Sequence, residues 1–370
     1  MWNIVHGITS LVEISDVKID YETFRLHHTF TVGILLTFFI IVTTKQFVGS
    51  PIVCDHMVSV SPKVISTYCW IHSTYVIPKA FYKEVGIDVP HPGIDGTQDP
   101  KEFRYINYYQ WVYFMLFFQA VLFYFPKWLW RNWEGEKMKM ITKELDNAML
   151  PEEELREKFK SITNYLVKTW KTHDAYAAKY FFCELLALIN VAGQFFFLDL
   201  FFDGHFQDFG VKVVEFFSSE QLSTASGNVT VYLKGDPMIM LFPRVTKCIF
   251  RRYGRSSLIE VNDVLCVMAL NVINEKIYLF LWFWLIALSF LTFLAVFMDW
   301  LLVISPSTRV YTLQTRFYLE DEKVLKILIQ KGSYGDWLMV DLIGQNIDHV
   351  LFSELLSDVA KELTQNYKLV

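Results

Sequence analysis

The sequence predicts an all-α membrane protein with four transmembrane helices, a small disulfide-linked extracellular domain and a helical cytosolic domain. Three observations lead there. Of 370 residues 53% are hydrophobic and 20% charged, with a mean hydropathy of +0.28, whereas a soluble domain carries about a quarter charged residues. Four windows almost free of charge are long enough to cross a hydrocarbon layer of about 30 Å, which takes roughly 20 residues at about 1.5 Å each. Four of the five cysteines fall in segments that these windows place together on one side. The aromatic content of 17% suits the headgroup boundary, where Trp and Tyr sit best. So much apolar surface excludes disorder. A net charge of -5, a pI near 6.0 and no run of Lys or Arg argue against a nucleic-acid partner.

Residues 1–28 form an amino-terminal cytosolic segment. Its first 14 residues, beginning Met1, Trp2, Asn3, Ile4 and Val5, read as a short amphipathic helix with no charge before Glu13. Glu13, Asp16, Lys18, Asp20 and Glu22 leave no continuous apolar run for a cleavable signal. The first span, 29–45, is therefore expected to act as its own insertion signal. Within it Thr29, Gly33, Thr37 and Thr44 recur near every fourth residue, a small and hydroxyl face opposite Ile, Leu and Phe. That face suits either a water-facing lining or close helix packing. The first outer loop covers 46–104, and the second span, 105–126, opens with Tyr108, Tyr109 and Trp111 and closes at Pro126, where a helix kinks or stops.

Orientation follows from the cations near the span ends. Close to the span ends the segment 127–179 places seven (Lys127, Arg131, Lys137, Lys139, Lys168, Lys171, Lys179) against three across the membrane (Lys101, Arg104, Lys212), so it is expected in the cytosol with both termini. Its Pro151 and the acids 152–154 start a helix whose apolar face runs Leu155, Phe159, Ile162, Leu166, Trp170. The third span, 180–200, is interrupted only by Glu184, expected to reach headgroups or a cation from a position one turn past Lys179. Cys183, Ala187, Asn190 and Gln194 make a small, polar stripe suited to a helix-to-helix contact. The second outer loop covers 201–276, the fourth span 277–298, and the cytosolic tail 299–370. In the tail Val324, Leu325, Ile327 and Leu328, then Ile347, Leu351, Leu355 and Val359, continue the helical layer.

Cys54 and Cys69 lie in the first outer loop, Cys248 and Cys266 in the second. In an oxidising compartment they are expected as disulfides, and four cysteines permit three pairings. A zinc site built on Cys54-Asp55-His56 and Cys69-x-x-His72 is the rival, disfavoured because external thiols are oxidised. No metal and no cofactor is expected. Asn228-Val229-Thr230 is the one N-x-[ST] triplet, which makes Asn228 a glycosylation candidate. An enzyme is disfavoured, since there is no phosphate-binding Gly loop, H-E-x-x-H or G-x-S-x-G and the nine histidines are scattered. His27 and His28 are expected at the cytosolic interface. A carrier would show inverted repeats with broken midplane helices, and none is visible.

The second window begins Tyr108-Tyr109-Gln110-Trp111-Val112, followed by Phe117-Phe118-Gln119-Ala120. Thr67-Tyr68-Cys69-Trp70, Trp133-Glu134-Gly135, Phe242-Pro243-Arg244, Asn274-Glu275-Lys276-Ile277-Tyr278 and Gly335-Asp336-Trp337 stand in order along the chain. With two cysteines in each outer loop, this resembles the innexins, the invertebrate gap-junction proteins, over nearly the whole length. The resemblance implies a plasma-membrane subunit of a large-pore gap-junction channel passing ions and small metabolites between adjacent cells. It implies a homo- or hetero-oligomeric ring, eightfold in relatives, docked on a ring of the apposed cell. It also implies nested disulfides, Cys54 with Cys266 and Cys69 with Cys248, and a pore lined by Met1, Trp2, Asn3, Val5, Thr29, Gly33 and Thr37. Tyr113 and the segment 218–237 depart from the pattern. A glycan at Asn228 could hold two rings apart, so the alternatives are an undocked, pannexin-like hemichannel or a four-span adhesion or scaffold protein.

Overall fold

The computed structural model describes residues 17–55, 60–97, 99–142, 152–218, 234–254, 257–318 and 321–366. Helix α1 runs Glu22–Val48, α2 Pro62–Ile71, α3 Val112–Glu134, α4 Glu152–Lys168, α5 Asp174–Phe201, α6 Phe209–Ser218 and α7 Ala269–Ile304. The tail adds α8 Pro306–Arg316, α9 Glu322–Lys331, α10 Tyr334–Gly344 and α11 His349–Asn366. Strands β1 Val53–Cys54, β2 Thr74–Val76, β3 Arg104–Ile106, β4 Val245–Tyr253 and β5 Ile259–Val267 form one sheet, ordered β1-β5-β4-β2-β3, with every pairing antiparallel.

Among the described residues four helices, α1, α3, α5 and α7, are long and apolar enough to cross a membrane. Each extends beyond its uncharged window on at least one side. The 36 residues of α7 measure about 54 Å, well over a hydrocarbon core of about 30 Å, so Glu275, Lys276 and Asp299 are helical residues beyond the apolar run. The second window differs most from expectation. Its first residues are strand β3, paired with β2 through Thr74↔Ile106 and Val76↔Arg104, and a 3-10 turn over Tyr108–Gln110. The helix starts at Val112 and continues through Pro126 to Glu134. Proline forfeits only the N–H that the Leu122 carbonyl would accept, a loss that membrane helices tolerate.

The chain divides into two compact units. One, the cysteine unit, comprises 34–120 and 191–287; the other, the tail unit, comprises 1–33, 121–190 and 288–370. The cysteine unit contains the sheet, for which sequence periodicity had offered no expectation. Along β4 every second side chain is covered, Thr246, Cys248 and Phe250, as are Val264 and Cys266 on β5, the alternation of a half-buried strand. Ile65, Val76, Tyr109 and Met268 close this core. The tail unit is held by a larger helical core. Phe159, Ile162 and Leu166 of α4 meet Leu325 and Leu328 of α9 and Leu355 and Val359 of α11, with Trp130 and Trp337 fully enclosed.

Candidate functional site

In the cysteine unit the sheet register sets Cys54 of β1 opposite Cys266 of β5. The two sulfurs are bonded at 2.05 Å. Cys69, in the last turns of α2, is bonded to Cys248 on β4 at 2.04 Å. The sulfurs of Cys54, Cys69 and Cys266 lie within 4.8 Å of one another, a spacing free thiols could offer a metal, but disulfide formation takes up all of them. Cys183 is a free thiol, fully buried in the tail unit.

The YYQWV residues serve the helix that carries Cys69. A helix leaves its last four carbonyls without intrahelical partners. The Tyr109 hydroxyl donates to the Cys69 carbonyl at 3.2 Å and to that of His72 at 3.1 Å. The Gln110 amide donates to the carbonyls of Trp70 and, at 3.2 Å, Ile71. Tyr109 also packs on Trp70, ring centroids 4.8 Å apart. Burial pushes the Tyr109 phenol up to about 12, so it remains a donor at neutral pH. Tyr108 donates to the Leu241 carbonyl at 2.9 Å and its ring meets Phe202 and Phe242. Val112 is buried, whereas Trp111 is exposed. The motif therefore finishes the helix end that positions one disulfide.

The other shared motifs have comparable physical roles. Arg244 reaches the fully buried Glu275 at 3.1 Å, and Lys276 joins the same carboxylate at 2.8 Å; Lys276 is thus paired within the protein. Asn271 donates to the Pro243 carbonyl at 2.8 Å. In the tail unit Ser333 and Asp336 form a capping box on α10, and Asp336 also bonds His173 at 2.9 Å and the Lys171 N–H. Burial alone would raise the Asp336 carboxyl, but the His173 bond and these N–H groups outweigh it and hold it below the ordinary carboxylate range. Gly335 sits so close to the His173 backbone that a Cβ would lie 2.2 Å from its carbonyl carbon.

The root of α1 is anchored by the rest of the tail unit. Asn346 clasps the Lys18 backbone, accepting from its N–H at 2.6 Å and donating to its carbonyl at 2.7 Å. Trp130 donates to the Ile19 carbonyl at 2.9 Å, and the Tyr21 hydroxyl donates to Asp341 at 2.7 Å. Asp20, 4% exposed, meets His28 at 2.9 Å and Lys127. Burial would raise the Asp20 carboxyl; His28 and Lys127 together hold it below its usual value.

His27 and His28 are both buried. One expectation is corrected here. Glu184 is 4% exposed and lies against Asp299 and Tyr180, instead of reaching headgroups or a cation. A position near a span end does not reveal which helix face meets the core. Gln194, by contrast, is buried and accepts from Gln119 at 3.0 Å within the cysteine unit.

Of the residues expected along a pore, Thr29 and Gly33 are half-buried and Thr37 is exposed. Thr29 bonds His28 at 3.0 Å, and no atom would crowd a Cβ at Gly33 within 4 Å. Met1, Trp2, Asn3, Val5 and Asn228 lie outside the described residues. Asp20, Asp299 and Asn346 carry contacts that the sequence did not single out; for Asp299 an acid directly beyond a charge-free window was the available signal, and for Asn346 there was none.

A family profile described as Innexin matches residues 20–363. The chain is 44% identical over 367 residues to Innexin shaking-B of Drosophila melanogaster, covering 99% of this chain and 96% of that protein. It is 39% identical over 365 residues to Innexin inx2 of Schistocerca americana, covering 98% of each. To Innexin inx2 of Drosophila melanogaster it is 37% identical over 366 residues, covering 98% of this chain and 96% of that one.

Proposed function

This chain belongs to the innexin family, and from that premise we infer how its two units make a conduit. It is a gap-junction channel subunit, a multi-pass protein of the plasma membrane, and not an enzyme. It assembles with innexins into an oligomeric channel. Beyond this, the reading is an eightfold ring docked on a ring of the apposed cell, with the cysteine unit outside and the tail unit and both termini in the cytosol. The near full-length match of a chain with four spans to innexins carries it.

Two features support the finer assignment. The disulfides staple strands to strands and a helix to the sheet, which suits an oxidising exterior. The β4–β5 hairpin extends beyond its neighbours and exposes Tyr253, Leu258, Ile259 and Val261, apolar surface available to a docked ring. The first 14 residues and the Thr29, Gly33, Thr37 face of α1 are assigned to the pore.

Paired cells expressing the chain should pass dye and current between them. Dye uptake by single cells without transfer between pairs would favour the undocked hemichannel, and neither activity would favour a scaffold. Thiol reagents should block channels carrying Thr37→Cys; full current after labelling removes that residue from the lumen. Unaltered gel mobility of Asn228→Gln from insect cells would remove the glycan.

A further inference from the structure

His27 and His28 are neighbours in sequence and both are buried, 2% and 7% exposed. A regular helix turns adjacent side chains about 100° apart. Here residues Leu26–Thr31 form a π turn, whose extra residue lets the Thr31 hydroxyl donate five residues back to the Leu26 carbonyl at 2.9 Å. Such turns are common where a helix serves a function. His28 spends both ring nitrogens, on Asp20 at 2.9 Å and Thr29 at 3.0 Å. His27 does not.

The Nε2 of His27 lies 2.7 Å from the Thr292 hydroxyl. That hydroxyl donates its single proton to the Leu288 carbonyl at 2.6 Å. It must therefore accept from His27, which puts the imidazole proton on Nε2 and leaves Nδ1 as a lone pair. Nδ1 has no partner among the described residues, and neither has Oε2 of Glu184. Both residues line one small cavity with Phe24, Ala187 and Thr292. Two acceptors cannot bond each other, and a buried polar atom left unpaired is costly. A water that donates to both, or an added proton, removes the conflict.

We propose that this cavity is a proton-loading site. At neutral pH it holds water that donates to His27 Nδ1 and to Glu184 Oε2. On acidification a proton from the cytosolic solvent binds Nδ1, turning it from acceptor into an N–H donor to the Glu184 oxygen. The charged and titratable groups that act on His27 or Glu184 are His28 on α1, Asp20 just before it, Tyr180 on α5, Asp299 on α7 and Tyr334 from the tail; Arg25 and Lys127 act on His28, and Arg316 and Asp341 on Asp299. Loading links the π turn of α1 directly to α5, and it acts on conduction through the reading that α1 borders the lumen.

The test pairs a spectroscopic and an electrical measurement on the full chain. Glu184→Gln replaces the free acceptor by an amide that donates to Nδ1 at every pH. His27→Gln keeps an N–H for Thr292 and deletes Nδ1. In infrared difference spectra of purified channels stepped from neutral to acid pH, wild type should show imidazole and carboxyl signals that both variants lack. In paired cells, the change of conductance that wild type shows on cytosolic acidification by about one unit, tenfold in proton concentration, should be lost in His27→Gln. Glu184→Gln should show at neutral pH the conductance that wild type reaches only in acid. Spectra unchanged by either variant, or a wild-type pH response of conductance in both, would overturn the site. Failure of Thr37→Cys to be labelled would instead strike the lumen reading and leave the spectra standing.

Discussion

The cysteine unit and the tail unit solve one problem by different chemistry. Each must finish helix ends and fix chain segments distant in sequence. The cysteine unit does so with a narrow sheet and two disulfides that close separations of 212 and 179 residues. The tail unit relies on a continuous apolar core and buried charged hydrogen bonds. Both supply side chains from outside the helix to orphan carbonyls: Tyr109 and Gln110 to the end of α2, and Arg309 of the following helix to the Leu302 and Val303 carbonyls of α7, each at 2.6 Å. A small sheet buries too little apolar area to stand alone, and an oxidising exterior allows covalent staples. The tail unit's one cysteine, Cys183, is free, so that unit depends on packing.

The sharpest break in this comparison is a cysteine exchange. Cys69→Ser should cost on the order of 4 kcal/mol through the longer unfolded loop. Surface biotinylation and dye transfer should collapse, and the Cys69→Ser, Cys248→Ser double variant should be no worse than either single one. Cys183→Ala, in the tail unit, should cost only about 1 kcal/mol and keep dye transfer. Near-normal transfer through Cys69→Ser channels would end the claim that the disulfide carries the cysteine unit.

Within the tail unit the largest loss should come from the apolar core. Leu325→Ala, at a fully buried site, should cost about 2–5 kcal/mol, read as a lowered melting temperature in detergent that reducing agent does not deepen. Asp336→Asn comes next, at about 1–3 kcal/mol, because it weakens the capping box and the His173 bond. The folded Asp336 carboxyl is held below its unfolded value, so its contribution is complete above about pH 4 and fades as pH falls through the folded value. The variant should therefore lose stability at pH 7 and show less of the acid-dependent fall below about pH 4. Equal melting curves for both proteins at pH 7 would count against that role.

The smallest effect sharpens the comparison from the other side. Gln110→Ala removes donors from the Trp70 and Ile71 carbonyls and should cost about 1 kcal/mol. With the disulfide intact, surface expression should persist; after mild reduction the variant should lose structure before wild type. Identical reduction sensitivity would show that the motif does not support the Cys69 helix.

Particular elements show how much was legible beforehand. The four spans were, because crossing hydrocarbon demands a local run of apolar residues that any window detects. The sheet was not, since Arg104–Ile106 becomes a strand only by pairing with Thr74–Val76, and no window contains both. The same limit extended the second span too far at its start and ended it early at Pro126. Glu184 was visible as an intramembrane acid, but its surroundings depend on Asp299, 115 residues away by number.

The sequence alone thus determined how often the chain meets the bilayer and which cysteines share a side, because hydropathy and charge are properties of short segments. Motifs in series were enough to reveal the family resemblance. Only the tertiary structure decided the strand register, the helix carbonyls that YYQWV caps and the cavity between His27 and Glu184. Those outcomes depend on side chains brought together from distant parts of the chain, where the requirement to pair every buried polar group selects the geometry.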